Sequence, residues 1–553
     1  MTGRGTITEF DKTADYVIVG AGSAGCVLAN RLSEGGGNRV FVLEAGDRDK
    51  SFMIHMPLGV GQVWHDPKFN WSYMSEPEPH VDNRQLFHPR GKVLGGSSSI
   101  NMMAYVRGNH GDYDRWRQKG LTGWSYDDVL PYFKRAEAFQ DGDDPYHGSD
   151  GPWRIQTTNV QDPIFDRFFG AVEQAGYAKA PDYNGAAQDG FARLQVNAVK
   201  GRRQSAAVAY LRPAMQRPNV DVEVRAHVNR VIVEEGRAVG IEYTQDGRTR
   251  TVRAEKEVIL SGGAINSPQV LLLSGIGPRD HLSQIGIEVV HEMPGVGHDL
   301  QDHPAIGVEY YYKGQSQFHR DLRLDRLTFH VARVKLFGTG MAASPPSSLT
   351  GYVKSRPDLE IPDIQMFFRP MSMSAKQWFP GIMPPSEQTY AFRACHLRPE
   401  SRGRVWLRSA EARDPVRILN NFLSTEEDKR VLREGFRIMR KLGTQPAFDD
   451  TRGPEFSPGE HVSVDDDAAI DAYVRETLST VFHPTSTCRM GADDRAVVDA
   501  DFRVRGMNGL RVVDASTMPD IVGGNLNATV IMMAEKASDA ILGKAPLPKA
   551  EAA

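Results

Sequence analysis

Between Asp15 and Glu44 the chain carries one pattern that leaves few folds open. Asp15-Tyr16-Val17-Ile18-Val19 is a β-branched run with the composition of a buried parallel strand. It leads into Gly20-Ala21-Gly22-Ser23-Ala24-Gly25 and then a helical stretch, CVLANRLSE. A second apolar strand, Val40-Phe41-Val42-Leu43, closes in Glu44, 19 residues after Gly25. Each part has a physical duty. Gly20 makes the tight turn, Gly22 lets a pyrophosphate reach the backbone, and Gly25 lets helix and strand pack closely. The helix N-terminus stabilises the anion. Glu44 can accept hydrogen bonds from both hydroxyls of an adenosine ribose, and its charge repels a 2′-phosphate. The pattern predicts a dinucleotide-binding βαβ unit but does not choose between FAD and NAD.

No second GxGxxG follows. A single nucleotide fold fits either a plain NAD dehydrogenase or a flavoenzyme reduced directly by its substrate. NAD chemistry lacks its usual partners here: no tyrosine has a lysine four residues later, and there is no HExxH. Cys26, Cys395 and Cys488 cannot assemble a zinc site or a disulfide framework. Lys+Arg number 66 against 70 Asp+Glu, a net charge of −4, which offers nucleic acid no basic footprint. The N-terminus shows no apolar signal region, and no stretch reaches membrane-spanning length. The expected location is therefore cytoplasmic. The 53 glycines and 33 prolines, without low-complexity repeats, predict many tight turns and close backbone approaches.

Further blocks are more specific: GKVLGGSSSIN (91–101), Tyr105-Val106-Arg107-Gly108, GAINSPQVLLLSGIG (263–277), HPTSTCRMG (483–491), VVDASTMP (512–519) and GGNLNATVIMMAEKASDAI (523–541). Together they resemble the glucose–methanol–choline (GMC) family of FAD oxidoreductases, in its bacterial choline-dehydrogenase-like or alcohol-oxidase-like branch. The resemblance runs from about Asp15 to Leu542. It implies an α/β protein: a discontinuous Rossmann-like FAD domain (13–155, 190–305 and 475–545) and an α+β substrate domain on an antiparallel sheet (156–189 and 306–474). LRPESRGRVWL (397–407) is expected in the sheet of that second domain.

The resemblance assigns FAD to Gly20, Gly22, Ser23, Ala24, Gly25, Glu44 and Ala45, then to Arg90, Val93, Gly95, Ser97, Asn101, Met102 and Ala104. It adds Val228, Ser261, Gly262, Asp514, Ala515, Asn525 and Asn527. Physically, the GGSSS loop offers successive backbone N–H groups with no bulky side chains. Some relatives attach FAD through a histidine in this loop. Ile100 holds that position here, which implies non-covalent FAD.

Alcohol oxidation needs a base at the hydroxyl and a second polar group to hold the oxygen. The family block HPxxTCRMG implies that His483 is the base, and Pro484 pushes it off helical geometry. Asn527, 44 residues later, is the implied partner, though it also reads as a helix N-cap, with Asn525 competing for that cap. Met103, Phe482, His483 and Asn527 are expected at the substrate, and Met102 and Phe368 are further candidates for pocket or core. Phe482 resembles the aromatic neighbour that guides oxygen in aryl-alcohol oxidases, and equally reads as packing. Ser486, Thr529 and Asp299 depart from the family's usual Gly, Pro and Asn.

The implied activity is oxidation of a primary alcohol (aryl, aliphatic or choline-like) to the aldehyde, with electrons passed to oxygen or a quinone-type acceptor. A flavin lyase and a non-turnover flavin-binding protein are the alternatives on the same fold. No nucleic acid or metal is expected, and monomer and homodimer stay open.

Overall fold

A computed structural model describes residues 9–142, 144–314, 316–372 and 375–550. Two seven-stranded sheets organise it. In the first, strand Lys12–Val19 lies between Val40–Leu43 and Arg248–Leu260, all parallel. Val220–Glu223 extends the parallel set on one side, and Leu510–Val512 adds to Arg248–Leu260. Val17, Ile18 and Val42 have no exposed surface, as expected of parallel strands covered by helices on both faces. The antiparallel hairpin Ala226–Glu234/Arg237–Gln245 completes the sheet. Its turn falls at Glu235 and Gly236 (φ 49° and 74°), where the right-handed twist of the strands favours two left-handed residues.

Helix Ser23–Ser33 leaves the first strand and packs beside the C-terminal helix Asn527–Ile541. Arg31 bridges them through a two-pronged ion pair with Glu535. Helix Gly263–Leu273 starts four residues earlier than Ser267-Pro268, so Pro268 falls inside it. The proline ring cannot donate to the carbonyl of Ala264, and the Thr487 hydroxyl takes that place at 2.6 Å.

The second sheet is antiparallel throughout: Arg452–Ser457, Pro304–Tyr312, Thr389–His396, Ile364–Arg369, Leu349–Val353 and Gly190–Arg193. One face packs on helices Pro163–Gln174 and Glu426–Gly443 through Phe168, Phe368, Phe392, Phe436 and Met439. The opposite face looks toward the first domain.

Three boundaries differ from those expected. Gly190–Arg193 belongs to the second sheet, because Phe191 is fully buried there against Phe168. Ser479–Thr480 also pairs with that sheet, through Pro304 and Ala305. Arg404–Trp406 pairs with Arg417–Leu419 in a separate two-stranded sheet, and Val405, Leu407 and Ile418 join the core of the first domain.

Candidate active site

A single cavity runs from the end of the first strand to the inner face of the second sheet. Its cofactor end is built from backbone. Gly20 has φ 98°, and a side chain there would meet the Ser261 carbonyl at 2.5 Å. Gly22 caps helix Ser23–Ser33 with no side chain over the free amides, the arrangement that receives a phosphate. Gly96 (φ 53°) lies so close to Gly22 that a Cβ would come 2.7 Å from its Cα. Glu44 spans the turn, accepting from Ala21 N at 2.9 Å and Gly46 N at 2.7 Å. Burial pushes its pKa up to about 7 against those two bonds. A carboxylate has about four lone-pair sites, so two bonds leave room for a ribose diol. Asp514 accepts from Gly263 N, Ser267 Oγ and Ser516 N, which ties its own turn to the start of helix Gly263–Leu273 under the cavity.

Lining the cavity are Gly20, Gly22, Ser23, Ala24, Glu44, Ala45, Arg90, Ser97, Asn101, Met102, Met103, Ala104, Val228, Ser261, Gly262, Phe482, His483, Asp514, Ala515, Asn525 and Asn527. Three expected cofactor residues do not line it. Gly25 packs against Gly20, whose carbonyl would be 1.9 Å from a Cβ, so its role is the helix–strand contact. Val93 is buried among Ile54, Val63 and Ile100. Gly95 (φ 89°) makes the turn and donates to the Ala21 carbonyl. Gly523 and Gly524 make room for Arg398 and Val106 rather than for the cavity. The buried Nδ2 of Asn527 has no partner, and the glycine cradle would be filled by any side chain. These residues fit a flavin dinucleotide.

At the other end stands His483. Its backbone N–H donates to Asp302 at 2.7 Å, Phe482 N–H donates to Thr480 Oγ1 at 2.7 Å, and Arg90 Nη2 donates to the Phe482 carbonyl. These bonds hold Phe482 at φ 71°; Met103, also in the cavity, has φ 64°. Two non-glycine residues in the left-handed region mark strain retained at a site. Trp64 meets the Phe482 ring edge-on at 5.4 Å.

The ring of His483 sits in a proton chain. His303 Nε2 lies 3.0 Å from the Leu397 carbonyl, which can only accept, so His303 carries its proton there. Its bare Nδ1 then accepts from His483 Nδ1 at 3.0 Å. The lone pair of His483 is thereby left on Nε2, 3.1 Å from Asn525 Nδ2. Asn525 Oδ1 accepts from Gln365 Nε2, which turns its NH₂ toward the histidine. Burial, His303, Arg90 and Arg393 all push the His483 pKa well below its usual value. His303 is pushed down to about 3, chiefly by burial. Both rings are neutral at physiological pH.

The side chain beside His483 is thus Asn525, not Asn527. Asn527 is the first residue of its helix and accepts from Ser23 Oγ at 2.6 Å, on the cofactor side. Neither asparagine caps the helix; that position is Leu526, which has no capping side chain. Phe368 is in the core, and its neighbour Phe367 lines the cavity, as a two-residue period requires. Sequence reasoning passed over His303, Arg369 and Arg393. His303 had a signal, since HDLQDH places two histidines and two acids beside a proline.

The GMC oxidoreductase family matches residues 14–305 with its N-terminal part and 399–534 with its C-terminal part. The chain belongs to the GMC oxidoreductases. It is 45% identical over 543 residues to an oxygen-dependent choline dehydrogenase of Sinorhizobium medicae, covering 97% of each chain. A Photobacterium profundum protein of the same description is 42% identical over 546 residues, 98% of this chain and 95% of that one. Among solved structures, pyridoxine 4-oxidase from Mesorbium loti superposes with TM-score 0.84 at 29% identity, covering 95% of this chain and 98% of that one. A fungal aryl-alcohol oxidase gives TM-score 0.84 at 25% identity, covering 96% and 99%. Like other GMC oxidoreductases, the protein is an FAD-dependent enzyme acting on CH–OH groups. Among the described residues, no helix is long and apolar enough to cross a membrane.

Proposed function

We propose that the protein oxidises a primary alcohol to the aldehyde, with His483 as the base and Asn525 as the donor to the substrate oxygen. One observation carries this: the chain Leu397–His303–His483 fixes the lone pair of His483 on Nε2, facing the cavity beside Asn525. A hydroxyl between these groups donates its proton to Nε2 and accepts from Asn525 Nδ2. The depressed pKa keeps His483 in the base form. Once protonated, it still donates from Nδ1 to His303. FAD supplies the acceptor for the hydride that leaves the carbinol carbon. Gly20, Gly22, Ser23, Glu44, Gly96, Ser97, Asp514 and Asn527 would hold the cofactor.

FAD is bound without a covalent link, because the aliphatic side chain of Ile100 offers no nucleophile. The final electron acceptor is oxygen or a quinone-type compound, and the three cysteines, buried as free thiols, suit a reducing cytoplasm. The test is anaerobic addition of a panel of primary alcohols to the yellow protein. Bleaching is expected with at least one; a flavin that stays oxidised with all of them would overturn the reading. Air against a quinone dye then identifies the acceptor, and acid precipitation should leave the flavin in the supernatant.

A further inference from the structure

The substrate end of the cavity carries positive charge that no described residue neutralises. Strands Ile364–Arg369 and Thr389–His396 are antiparallel, with Phe367 opposite Arg393 and Arg369 opposite Ala391. Arg369 and Arg393 are therefore diagonal neighbours on one face of the sheet. Both line the cavity together with Phe367, His483 and Asn525. Arg369 Nε is buried with no hydrogen-bond partner, and so is Ser347 Oγ in the same cavity wall. Arg393 Nη2 donates to Ser479 Oγ at 2.7 Å and to the Thr480 carbonyl at 3.2 Å, both uncharged acceptors.

Among the described residues, no carboxylate balances this pair. The carboxylates lining the cavity are Glu44 and Asp514, both at the cofactor end and both tied to backbone. Glu309 bears on Arg369 only at a distance: no ion pair forms between them, and Glu309 accepts from Thr389 Oγ1 at 3.2 Å. A half-buried cation without a counter-charge is unfavourable, and like charges on a sheet diagonal repel. Burial and the neighbouring Arg393 push Arg369 down to about 9, which still leaves it charged at neutral pH. A ligand that brings the missing negative charge removes both penalties. Guanidinium groups present the planar fork that matches a carboxylate.

We propose that this site takes a primary alcohol carrying a carboxylate, which Arg369 and Arg393 hold while the hydroxyl lies at His483 and Asn525. This rests on the alcohol-oxidising reading above and narrows it. Arg393 is near enough to His483 to act on its charge, so one small molecule reaches from guanidinium to base. A quaternary ammonium would meet two cations here. The aromatic pair in this wall, Trp64 and Phe482, is closed edge-on upon itself.

The test uses the FAD-loaded protein and two readouts. First, the oxidised flavin spectrum is titrated with 4-methylbenzoate and with 4-methylbenzamide. Second, anaerobic bleaching is measured with 4-(hydroxymethyl)benzoate, 4-(hydroxymethyl)benzamide and choline. The carboxylate is expected to bind, and to react in kcat/KM, about 10-fold or more better than the amide. R369Q and R393Q should each cut that ratio about 10-fold, and R369K should restore part of it. Preference for the amide or choline overturns the proposal, as does an unchanged ratio in both glutamine variants. If the variants lose FAD, the wild-type ratio alone decides. If no alcohol bleaches the flavin, the oxidation reading fails while the titration still judges the anion site; equal affinities would then overturn it.

Discussion

Nδ1 of His303 lies 3.0 Å from Nδ1 of His483, and one proton serves both nitrogens. The Leu397 carbonyl decides which ring keeps it, by claiming the Nε2 proton of His303. A main-chain oxygen thus sets the tautomer of the proposed base. H483A should lower the anaerobic reduction rate by about 10²–10⁴-fold with FAD still bound, the usual worth of a general base. Unchanged stopped-flow rates would remove His483 from the mechanism.

His303 acts through His483 and touches no substrate in this reading. H303A should slow reduction by about 10–100-fold, short of the loss in H483A. Because His303 accepts the Nδ1 proton of His483, its removal should also shift the acid limb of the rate profile. A slower enzyme with an unmoved limb would mean a merely structural role.

The two asparagines separate by readout. N525A removes the donor at the substrate oxygen and should slow reduction by about 10²-fold, as loss of one oxyanion donor does. N527A breaks the bond with Ser23 and should weaken FAD retention, measured by dilution and flavin fluorescence, more than it slows the holoenzyme. The reverse pattern would restore Asn527 as the substrate partner.

The pH profile follows from the direction of the His483 shift. The neutral ring is the active form and exists above the pKa; burial and neighbouring cations lower that pKa below 6.5. Reduction rates should therefore stay level as pH falls through 6.5 and drop only in more acid buffer. A half-maximal point at or above 6.5 would contradict the buried, positively surrounded base.

Gly96 tests the cradle. At φ 53° and 2.7 Å from Gly22 Cα, a Cβ forces apart the two loops proposed to grip the diphosphate. G96A should purify with little flavin, by absorbance at 450 nm, while its far-ultraviolet circular dichroism stays close to wild type. Full flavin occupancy would show that the loops can yield.

Some of this was legible in local sequence because local physics decides it. The strand, turn and helix of 15–33 follow from β-branched residues and glycines adjacent in the chain, and Glu44 reaches back only to Ala21. The hairpin 226–245 is local in the same way, with its turn at Glu235-Gly236. Phe367 against Phe368 was not legible, since both are apolar and only strand phase tells cavity from core. Asn525 against Asn527 was equally hidden. Two residues apart at a helix start, they point to different halves of the cavity, and the 44-residue spacing of Asn527 from His483 gives no sign that Asn525 stands at the histidine ring.

By itself the sequence determined the dinucleotide unit, the class of cofactor and the block that contains His483, because those depend on neighbours and fixed spacings. Tertiary structure decided what stands around the histidine. His303 is 180 residues away, Asn525 reaches it from another segment, and Arg369 and Arg393 face the cavity through the pleat of the second sheet. Hydrogen bonds and charges act over a few ångströms of space, and the chain distance between their partners carries no trace of that separation.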